Sequence, residues 1–246
     1  MEEHKKAIGI IGGMGPAATA DLFAKIIANT QAETDQQHLR VLIDSNTNIP
    51  DRTASILTGS DAPLTELVKS AVGLEHQGAG LLVIACNTAH YYYDKLVPNV
   101  GIPVLSMVEE TALHLKNKGI TRAGLLATDG VLHTGLYTKA LTRHGIEAVV
   151  PEEGMQQHVM DLIYNCVKAD AYESFDIGFF LNLLVWMTRQ GVQTLILGCT
   201  ELPLAFAHYG VIQPAVDPTL LLARAAIRAA GGKVKPERAE YTEGES

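Results

Sequence analysis

The stretch Thr194-Leu-Ile-Leu-Gly-Cys-Thr-Glu-Leu-Pro203 decides the fold, because the earlier stretch Leu81-Leu-Val-Ile-Ala-Cys-Asn-Thr-Ala89 repeats its pattern. Each begins with a short apolar run that has the length and composition of a strand buried on both faces of a sheet. Cys86 and Cys199 follow these strands. Because ligands gather at the carboxyl ends of strands in open parallel sheets, the two cysteines are predicted to share a chemical role.

The hydrophobic pattern alternates between short apolar runs and helical segments, which predicts βαβ units and parallel sheets. A first strand is predicted at 6–12, and the pattern restarts at Arg122-Ala-Gly-Leu-Leu-Ala-Thr-Asp-Gly130. Gly124 lies 115 residues after Gly9, and Cys199 lies 113 residues after Cys86. Two landmarks at nearly one offset indicate an internal duplication.

The predicted fold class is α/β, with two pseudo-symmetric halves, each a mostly parallel sheet flanked by helices, and an active site between them. We expect residues 1–104 together with 212–232 to form the first domain. Residues 105–211 would form the second domain. The range 233–246 is polar and is predicted to be a loosely held tail.

Composition excludes several classes of protein. The 246 residues carry a formal net charge of −8, without the Lys/Arg block that a nucleic-acid interface needs. No apolar run approaches the ~20 residues that span a bilayer, so no membrane partner is expected. The start, Met1-Glu-Glu-His-Lys-Lys-Ala, lacks the apolar stretch of a signal peptide. A cytoplasmic protein with reduced thiols is therefore expected.

The three cysteines are predicted to differ in role. A single free cysteine is most often a small buried hydrophobe, and Cys166, inside a predicted amphipathic helix at 155–169, fits that interpretation. Cys86 and Cys199 each end a strand and are followed within two residues by a threonine at a helix start. A helix N-terminus stabilises a thiolate, so we expect a lowered pKa at both thiols.

The glycine turn after the first strand supports a competing hypothesis. Gly13-Met-Gly-Pro-Ala-Ala18 matches the loose G-x-G-x-x-A form of a dinucleotide-binding turn. The nearest strand-end acid, Asp44, follows about 30 residues later, whereas the motif expects ~20. The same turn could bring backbone N–H groups to a carboxylate.

Cationic and imidazole side chains near these motifs have two interpretations. Arg52 could bind an acidic substrate bidentately, but a loop arginine is usually solvated. Lys168 closes the predicted 155–169 helix, where the helix dipole favours a cation in any case. His90 lies one helical turn after Cys86; a catalytic pair is conceivable, but a helix-surface histidine is the favoured interpretation. The nine histidines show no metal-ligand spacing, so no metal is expected.

Four motifs together resemble the aspartate/glutamate racemase superfamily, whose members work without pyridoxal phosphate. Two of them are Ala85-Cys-Asn-Thr-Ala89 and Gly198-Cys-Thr-Glu201. The other two, Ile11-Gly-Gly-Met-Gly-Pro16 and Asn46-x-x-Ile-Pro-Asp-Arg52, resemble the aspartate racemase branch. Glu201 is similar to that branch as well, since glutamate racemases typically carry histidine at this place.

The resemblance implies a cofactor-independent amino acid racemase, an isomerase that acts on aspartate. Cys86 and Cys199, one from each half, would be the catalytic acid/base pair on opposite faces of the α-carbon. Both positions are cysteine, which favours action on both enantiomers. Family members are often dimers, so the resemblance also implies a homodimer.

The resemblance also implies a set of substrate-binding residues. Arg52 and Lys168 would hold the side-chain carboxylate of the substrate. Hydroxyl and amide groups at the two helix starts would stabilise a carbanion-like transition state, and the glycine turn would form a wall of the cleft. The predicted substrate-binding residues are Met14, Asn46, Arg52, Asn87, Thr88, Thr128, Lys168 and Thr200.

Several alternatives remain open at this point. Glutamate or a wider set of amino acids could be the substrate. A hydantoin racemase, a maleate isomerase or a decarboxylase could use the same scaffold. From a different class, a Rossmann-type nucleotide-binding enzyme or a duplicated binding protein without chemistry would also fit parts of the pattern.

Overall fold

Two parallel sheets of four strands each build the fold in the computed structural model, which describes residues 5–236. The strand orders are β2-β1-β3-β4 and β6-β5-β7-β8, so the second sheet repeats the connectivity of the first. The strands are β1 (Ile8–Gly12), β2 (Val41–Ser45), β3 (Leu81–Ile84), β4 (Val104–Leu105), β5 (Arg122–Ala127), β6 (Glu147–Val149), β7 (Thr194–Gly198) and β8 (Ala215–Val216). The predicted α/β fold with two pseudo-symmetric halves is confirmed.

Helices cover the sheets. The α-helices are α1 (Pro16–Asn29), α2 (Arg52–Leu57), α3 (Ala62–His76), α4 (Tyr93–Leu96), α5 (Met107–Asn117), α6 (Asp129–Thr134), α7 (Leu136–Arg143), α8 (Glu153–Asp161), α9 (Gly178–Arg189), α10 (Leu202–His208) and α11 (Pro218–Ala229). Single turns of 3₁₀-helix lie at Asp35–Gln37, Thr88–Tyr92, Val97–Asn99 and Tyr172–Ser174, and a π-helix lies at Leu162–Val167.

The central strands are apolar because both of their faces are covered. Every residue of β1, β3 and β7 is buried, as expected for strands inside a parallel sheet. The pseudo-symmetry extends to single residues. Gly9 is paired with Leu82, and Gly124 is paired with Leu195. A methyl group at either glycine would lie under 3.0 Å from the end of its partner leucine side chain, so a larger residue at either place would force that leucine to move.

The two halves are joined by two helices rather than by one linker. Met107 of α5 packs in the core of the first half, whereas Val108 and Ala112 of the same helix pack in the core of the second. α11 returns the chain to the first half, where Leu222 and Ile227 pack against it. Helix α5 therefore contributes side chains to both cores, and α11 connects the second half back to the first.

The observed boundaries differ from the sequence analysis in three places. β8 lies within the range 212–232 assigned to the first domain, yet it pairs with β7 of the second sheet. We therefore keep the two-domain division as a proposal, with β8 moved to the second half. In the predicted tail, Lys233 and Lys235 exchange backbone hydrogen bonds with the end of α1. Residues 237–246 of that tail lie outside the described residues.

The third difference concerns the predicted helix at 155–169. It is an α-helix only to Asp161 and then widens into the π-helix. Val159, Ile163 and Val167 are all buried, so the predicted apolar face is present. Separately, no helix among residues 5–236 is both long and apolar enough to cross a membrane.

Candidate active site

A small cavity lies where the carboxyl ends of β3 and β7 face each other across the two halves. Strands from both sheets direct their following loops into it, which is the expected place for a ligand in this topology. The cavity is lined by Met14, Asp51, Arg52, Thr53, Cys86, Asn87, Thr88, Thr128, Tyr164, Lys168, Cys199, Thr200 and Glu201.

Cys86 and Cys199 enter the cavity from opposite halves. Cys86 lies two residues after β3, and Cys199 directly follows β7. Both are free thiols and both side chains are almost fully buried. The two thiols therefore line one cavity, one from each half of the protein.

Glu201 accepts the hydrogen bonds of its neighbours on the side of the cavity that holds Cys199. Its carboxylate is buried and accepts three hydrogen bonds from side chains. Lys168 Nζ donates to Oε1 at 2.7 Å. Cys199 Sγ and Thr200 Oγ1 each donate to Oε2 at 3.0 Å. The thiol of Cys199 is thus a hydrogen-bond donor to an anion.

Arg52 donates hydrogen bonds to the backbone on the side of the cavity that holds Cys86. It begins α2, which Asp51 caps by accepting a hydrogen bond from the Ala54 N–H at 2.7 Å. Its guanidinium donates to three backbone carbonyls: Nη1 to Ile49 at 3.3 Å and Pro50 at 3.1 Å, and Nη2 to Met14 at 2.9 Å. Arg52 Nε is buried without a partner. Since guanidinium carries five N–H donors, part of it remains available.

The charges around the two thiols differ. Burial together with the Glu201 carboxylate raises the pKa of Cys199 well above its usual value, although Lys168 acts in the opposite direction. The expected lowering of the pKa by a helix N-terminus is therefore wrong for Cys199, because burial and a neighbouring anion outweigh the dipole. At Arg52, burial acts to lower the pKa, but the adjacent Cys86 and Asp51 raise it on balance.

Lys168 is a charged side chain held in a fixed place. Burial acts to lower its pKa, but Glu201 and Cys199 outweigh burial and the pKa is raised. Its Nζ also lies 5.6 Å from the centre of the Tyr164 ring. Lys168 follows directly on the π-helix, and its N–H bonds to the carbonyl of Ile163, five residues back. Such widened turns are frequent at functional sites.

Polar groups from both halves meet in the cavity wall. Thr88 Oγ1 and Thr128 Oγ1 are hydrogen-bonded at 3.1 Å. Asn87 accepts a hydrogen bond from the buried Tyr137 hydroxyl, while Asn87 Nδ2 is buried without a partner. Burial raises the pKa of Tyr137, which therefore donates as a neutral phenol. These contacts fix the two helix starts relative to each other.

A further hydrogen bond connects the two halves at the cavity. Tyr164, from the second half, donates its hydroxyl proton to Asp51 Oδ2 of the first half at 3.2 Å. Burial raises the pKa of Tyr164 to about 12, so the phenol is neutral near pH 7. The bridge and Lys168 over the same ring make Tyr164 part of the wall.

The structure brings together nine of the ten site residues named from the sequence; the exception is Asn46. Asn46 Nδ2 donates to Glu66 at 3.3 Å and to Ser70 at 3.2 Å, and its Oδ1 accepts from the Asn48 N–H. It holds the loop between β2 and α2. The structure therefore gives no support for contact between Asn46 and a substrate.

His90 corrects the interpretation of a helix-surface histidine. It is buried: Nδ1 donates to the Cys86 carbonyl at 2.9 Å, and Nε2 accepts from the Met107 N–H at 3.0 Å. This arrangement requires a neutral ring with one donor and one acceptor nitrogen. Accordingly, burial lowers the pKa of His90 to about 4. His90 is a structural support beneath Cys86.

Four lining residues were not predicted as binding residues: Asp51, Thr53, Tyr164 and Glu201. The sequence predicts Glu201 only as a residue similar to the aspartate racemase branch, and its place two residues after Cys199 is the signal for a role in the cavity. Tyr164 lies four residues before Lys168, a spacing that puts both on one side of a helix. Among residues 5–236, no group of three or more His, Cys, Asp or Glu side chains is arranged to hold a metal ion.

Comparison with known proteins identifies the family. The model of the Asp/Glu/hydantoin racemase family matches residues 11–226. The chain belongs to this family. An aspartate racemase from Picrophilus torridus has the same fold at a TM-score of 0.82, with 33% identity over 94% of this racemase and 96% of that chain. As a member of this family, the protein with the present sequence is an isomerase of the amino acid racemase type.

Two other relatives of this racemase have names that differ in the substrate they give. An aspartate racemase homologue from Pyrococcus horikoshii is 26% identical over 92% of this chain and 99% of its own, at a TM-score of 0.74. A broad-specificity amino-acid racemase from Bacillus subtilis is 26% identical over 226 residues, 89% of this chain and 96% of that protein. The family membership favours racemase chemistry over the nucleotide-binding alternative.

Proposed function

We propose that this protein is a cofactor-independent aspartate racemase whose acid and base are Cys86 and Cys199. The observation that carries the proposal is the placement of the two thiols in one cavity on opposite halves. Racemisation removes the α-proton from one face and returns a proton to the other, so it needs two acid/base groups facing each other.

The proton balance of a turnover follows from the two sulfurs. A thiolate of one cysteine takes the α-proton, forming an S–H bond as the C–H bond breaks and leaving the electron pair on the substrate. The thiol of the other cysteine then delivers its proton to the opposite face of the α-carbon. Each turnover therefore exchanges the protonation states of Cys86 and Cys199, and the reverse reaction restores them.

The carbanion-like transition state needs fixed dipoles in a water-poor site. Asn87 Nδ2 is a buried donor without a partner, and Thr88, Thr128 and Thr200 contribute hydroxyls to the same wall. These groups are already held in position by the rest of the cavity. We propose that they bind the α-carboxylate and the charge that develops next to it.

The second carboxylate of aspartate would bind at Arg52. Three backbone carbonyls occupy part of the guanidinium, and Nε remains buried and unpaired. An Nε–H with a remaining Nη–H forms a planar pair of donors that suits a carboxylate. Lys168 is paired with Glu201, so its contact with the substrate would require it to share its proton donors between two carboxylates.

The pairing of Lys168 with Glu201 favours a second candidate, a racemase of wider amino acid specificity. Because Glu201 already balances the charge of Lys168, a substrate without a side-chain carboxylate would leave only Arg52 without a carboxylate partner. The match to the broad-specificity enzyme from Bacillus subtilis supports the same alternative. Glutamate is the third candidate.

One experiment separates these candidates. L-aspartate, L-glutamate and L-alanine are each incubated with the protein in D₂O without added cofactor, and α-deuterium and optical rotation are followed by NMR and polarimetry. Exchange confined to aspartate would support the aspartate assignment, whereas exchange in alanine would support wide specificity. Absence of exchange in all three would contradict the proposed function. A Cys86→Ser/Cys199→Ser double variant is the control for contaminating racemases.

We also propose that the enzyme works as a homodimer in the cytoplasm. Its three cysteines are free and two line the cavity, so the chemistry depends on thiols staying reduced, as in a reducing compartment. Light scattering coupled to size-exclusion chromatography measures the mass in solution, and a single-chain mass at working concentrations would contradict the dimer.

A further inference from the structure

The two cysteine loops are related by the pseudo-symmetry but differ in charge at one place. Cys86-Asn87-Thr88 follows β3, and Cys199-Thr200-Glu201 follows β7. The second residue after the cysteine is a neutral hydroxyl in the first half and a buried carboxylate in the second. In an otherwise matched pair of loops, this is a built-in asymmetry at the sulfur.

We propose that Glu201 is a positioning residue that holds Cys199 as the protonated thiol in the resting enzyme, which makes Cys86 the base with which the resting enzyme begins a turnover. The inference rests on the proposed racemase function and deepens it by assigning starting roles to the two cysteines. Its basis is geometric: Cys199 Sγ is a donor to Glu201 Oε2 at 3.0 Å.

The second acceptor oxygen of Glu201 makes this arrangement rigid. Oε1 is held by Lys168 Nζ at 2.7 Å, and Oε2 also receives the Thr200 hydroxyl at 3.0 Å. With both oxygens bound, the carboxylate has little freedom to turn away from the sulfur. Ionising Cys199 would remove the S–H donor and place a second negative charge about 3 Å from Oε2, in a buried site where such repulsion is weakly screened.

The opposite sulfur has a cation for a neighbour. Arg52 interacts electrostatically with Cys86, and its bonds to Ile49, Pro50 and Met14 hold it in place. Thr88, the counterpart of Glu201, is bonded to Thr128 and brings no charge. The charged group next to Cys86 is therefore a cation, whereas the group that accepts the hydrogen bond of Cys199 is an anion.

Other ionisable groups around Cys199 do not reverse this balance. Lys168 favours the thiolate, but its ammonium is shared with Glu201. Tyr164 and Tyr137 also interact with Cys199, and burial raises the pKa of each, so both are neutral at working pH. The other ionisable groups that line the cavity are Asp51, Arg52 and Cys86. Two thiolates in one small cavity would repel each other, which further disfavours a second thiolate.

The predicted asymmetry is measured best on the thiols themselves. The two enantiomers of a substrate have equal free energies, so kcat/KM must be the same in both directions whichever cysteine starts as thiolate. The pH dependence of alkylation reports each sulfur separately, because the thiolate is the reactive form. Substrate-free protein is treated with iodoacetamide from pH 5 to 11, and modification of the Cys86 and Cys199 peptides is quantified by mass spectrometry.

In the unmodified protein, the alkylation midpoint of Cys86 is expected at lower pH than that of Cys199; the reverse order overturns the proposal. Glu201→Gln keeps the size and removes the charge. It is expected to lower the Cys199 midpoint by at least about one pH unit, which is about a tenfold faster alkylation below the midpoint. An unchanged Cys199 midpoint in a variant with a native melting curve also overturns the proposal.

Two features keep the result interpretable. Glu147→Gln is the matched control, because Glu147 is exposed and paired with Arg122 far from the cysteine loops; both midpoints should stay unchanged in it. The order of the midpoints in the unmodified protein needs no variant, so the test survives a misfolded Glu201→Gln. Failure of racemisation shows as absent deuterium exchange, whereas failure of this inference shows in the substrate-free thiols.

Discussion

Thr88 Oγ1 and Thr128 Oγ1, which belong to opposite halves of the protein, are hydrogen-bonded at 3.1 Å inside the cavity. The bond fixes the distance between the two helix starts next to the cysteine loops. Any change that separates these two hydroxyls should therefore alter the distance between Cys86 and Cys199. Gly130, two residues after Thr128, also lies against the first half, next to Thr53 and Thr88.

We expect Gly130→Ala to lower kcat while the melting temperature changes little. A methyl group there would lie 3.0 Å from Thr53 Cα and 3.2 Å from the Thr88 methyl, so these neighbours must shift by a few tenths of an ångström. Because a misplacement of about 1 Å costs about 100-fold in rate, we expect a loss of kcat smaller than about 100-fold. Steady-state kinetics and thermal melts measure the two effects. Gly154→Ala, whose added methyl would contact nothing within 4 Å, is the matched control and should keep full activity.

The three cysteines should respond differently to alanine. Removing Cys86 or Cys199 should lower kcat by about 10²- to 10⁴-fold, because each variant loses one acid/base group. Cys166→Ala should keep the rate and lose about 1 kcal/mol of stability, since Cys166 Sγ packs in the core against the Tyr209 hydroxyl at 3.3 Å. Racemisation rates and denaturant unfolding test this order. Full activity in either pocket variant would contradict the two-cysteine mechanism.

Arg52→Lys should raise the KM for aspartate by about 10- to 100-fold, the effect of losing a charged hydrogen-bonded pair. The lysine keeps a positive charge but cannot supply planar paired donors. Arg52 also satisfies three backbone carbonyls, so Arg52→Ala should in addition lower the melting temperature. Thermal melts of both variants separate recognition of the substrate from folding. If aspartate turnover keeps its KM in both variants, the substrate assignment is wrong.

Acid should destabilise the protein through His90. Burial lowers the pKa of His90 from 6.5 to about 4, so the unfolded chain binds a proton over that interval that the folded protein does not. Stability from this group is complete above pH 6.5 and falls as the pH drops from 6.5 to 4, by up to about 3 kcal/mol. Urea unfolding at several pH values measures the slope. In His90→Gln the slope between pH 4 and 6.5 should flatten; an unchanged slope would assign the acid sensitivity to other groups.

Much of the architecture follows from patterns in the sequence. The apolar runs before Cys86 and Cys199 are long enough for buried strands, and parallel strands present their carboxyl ends to one edge. That reasoning alone brings both cysteines to one cleft. The loop arginine and the helix-start threonines follow from the same logic, because they come next along the chain.

Other features depend on tertiary contacts that local patterns do not contain. His90 is buried because α5 packs over the turn that carries it, and its partner Met107 is 17 residues away. The π-helix before Lys168 keeps the apolar spacing of an α-helix, so hydrophobic periodicity cannot distinguish the two. The hydrogen bond from Cys199 to Glu201 depends on a side-chain rotamer, which sequence spacing does not fix.

The C-terminal segment that carries β8 and α11 contributes to both halves of the protein. β8 completes the sheet of the second half, and two residues later α11 begins and covers the sheet of the first half. A chain that ended at residue 211 would lack both the edge strand of the second sheet and part of the apolar cover of the first. The repeat units are therefore tied together by a shared C-terminal segment. Neither copy is a self-sufficient folding unit, and we expect separately expressed halves to be soluble only when they are produced together.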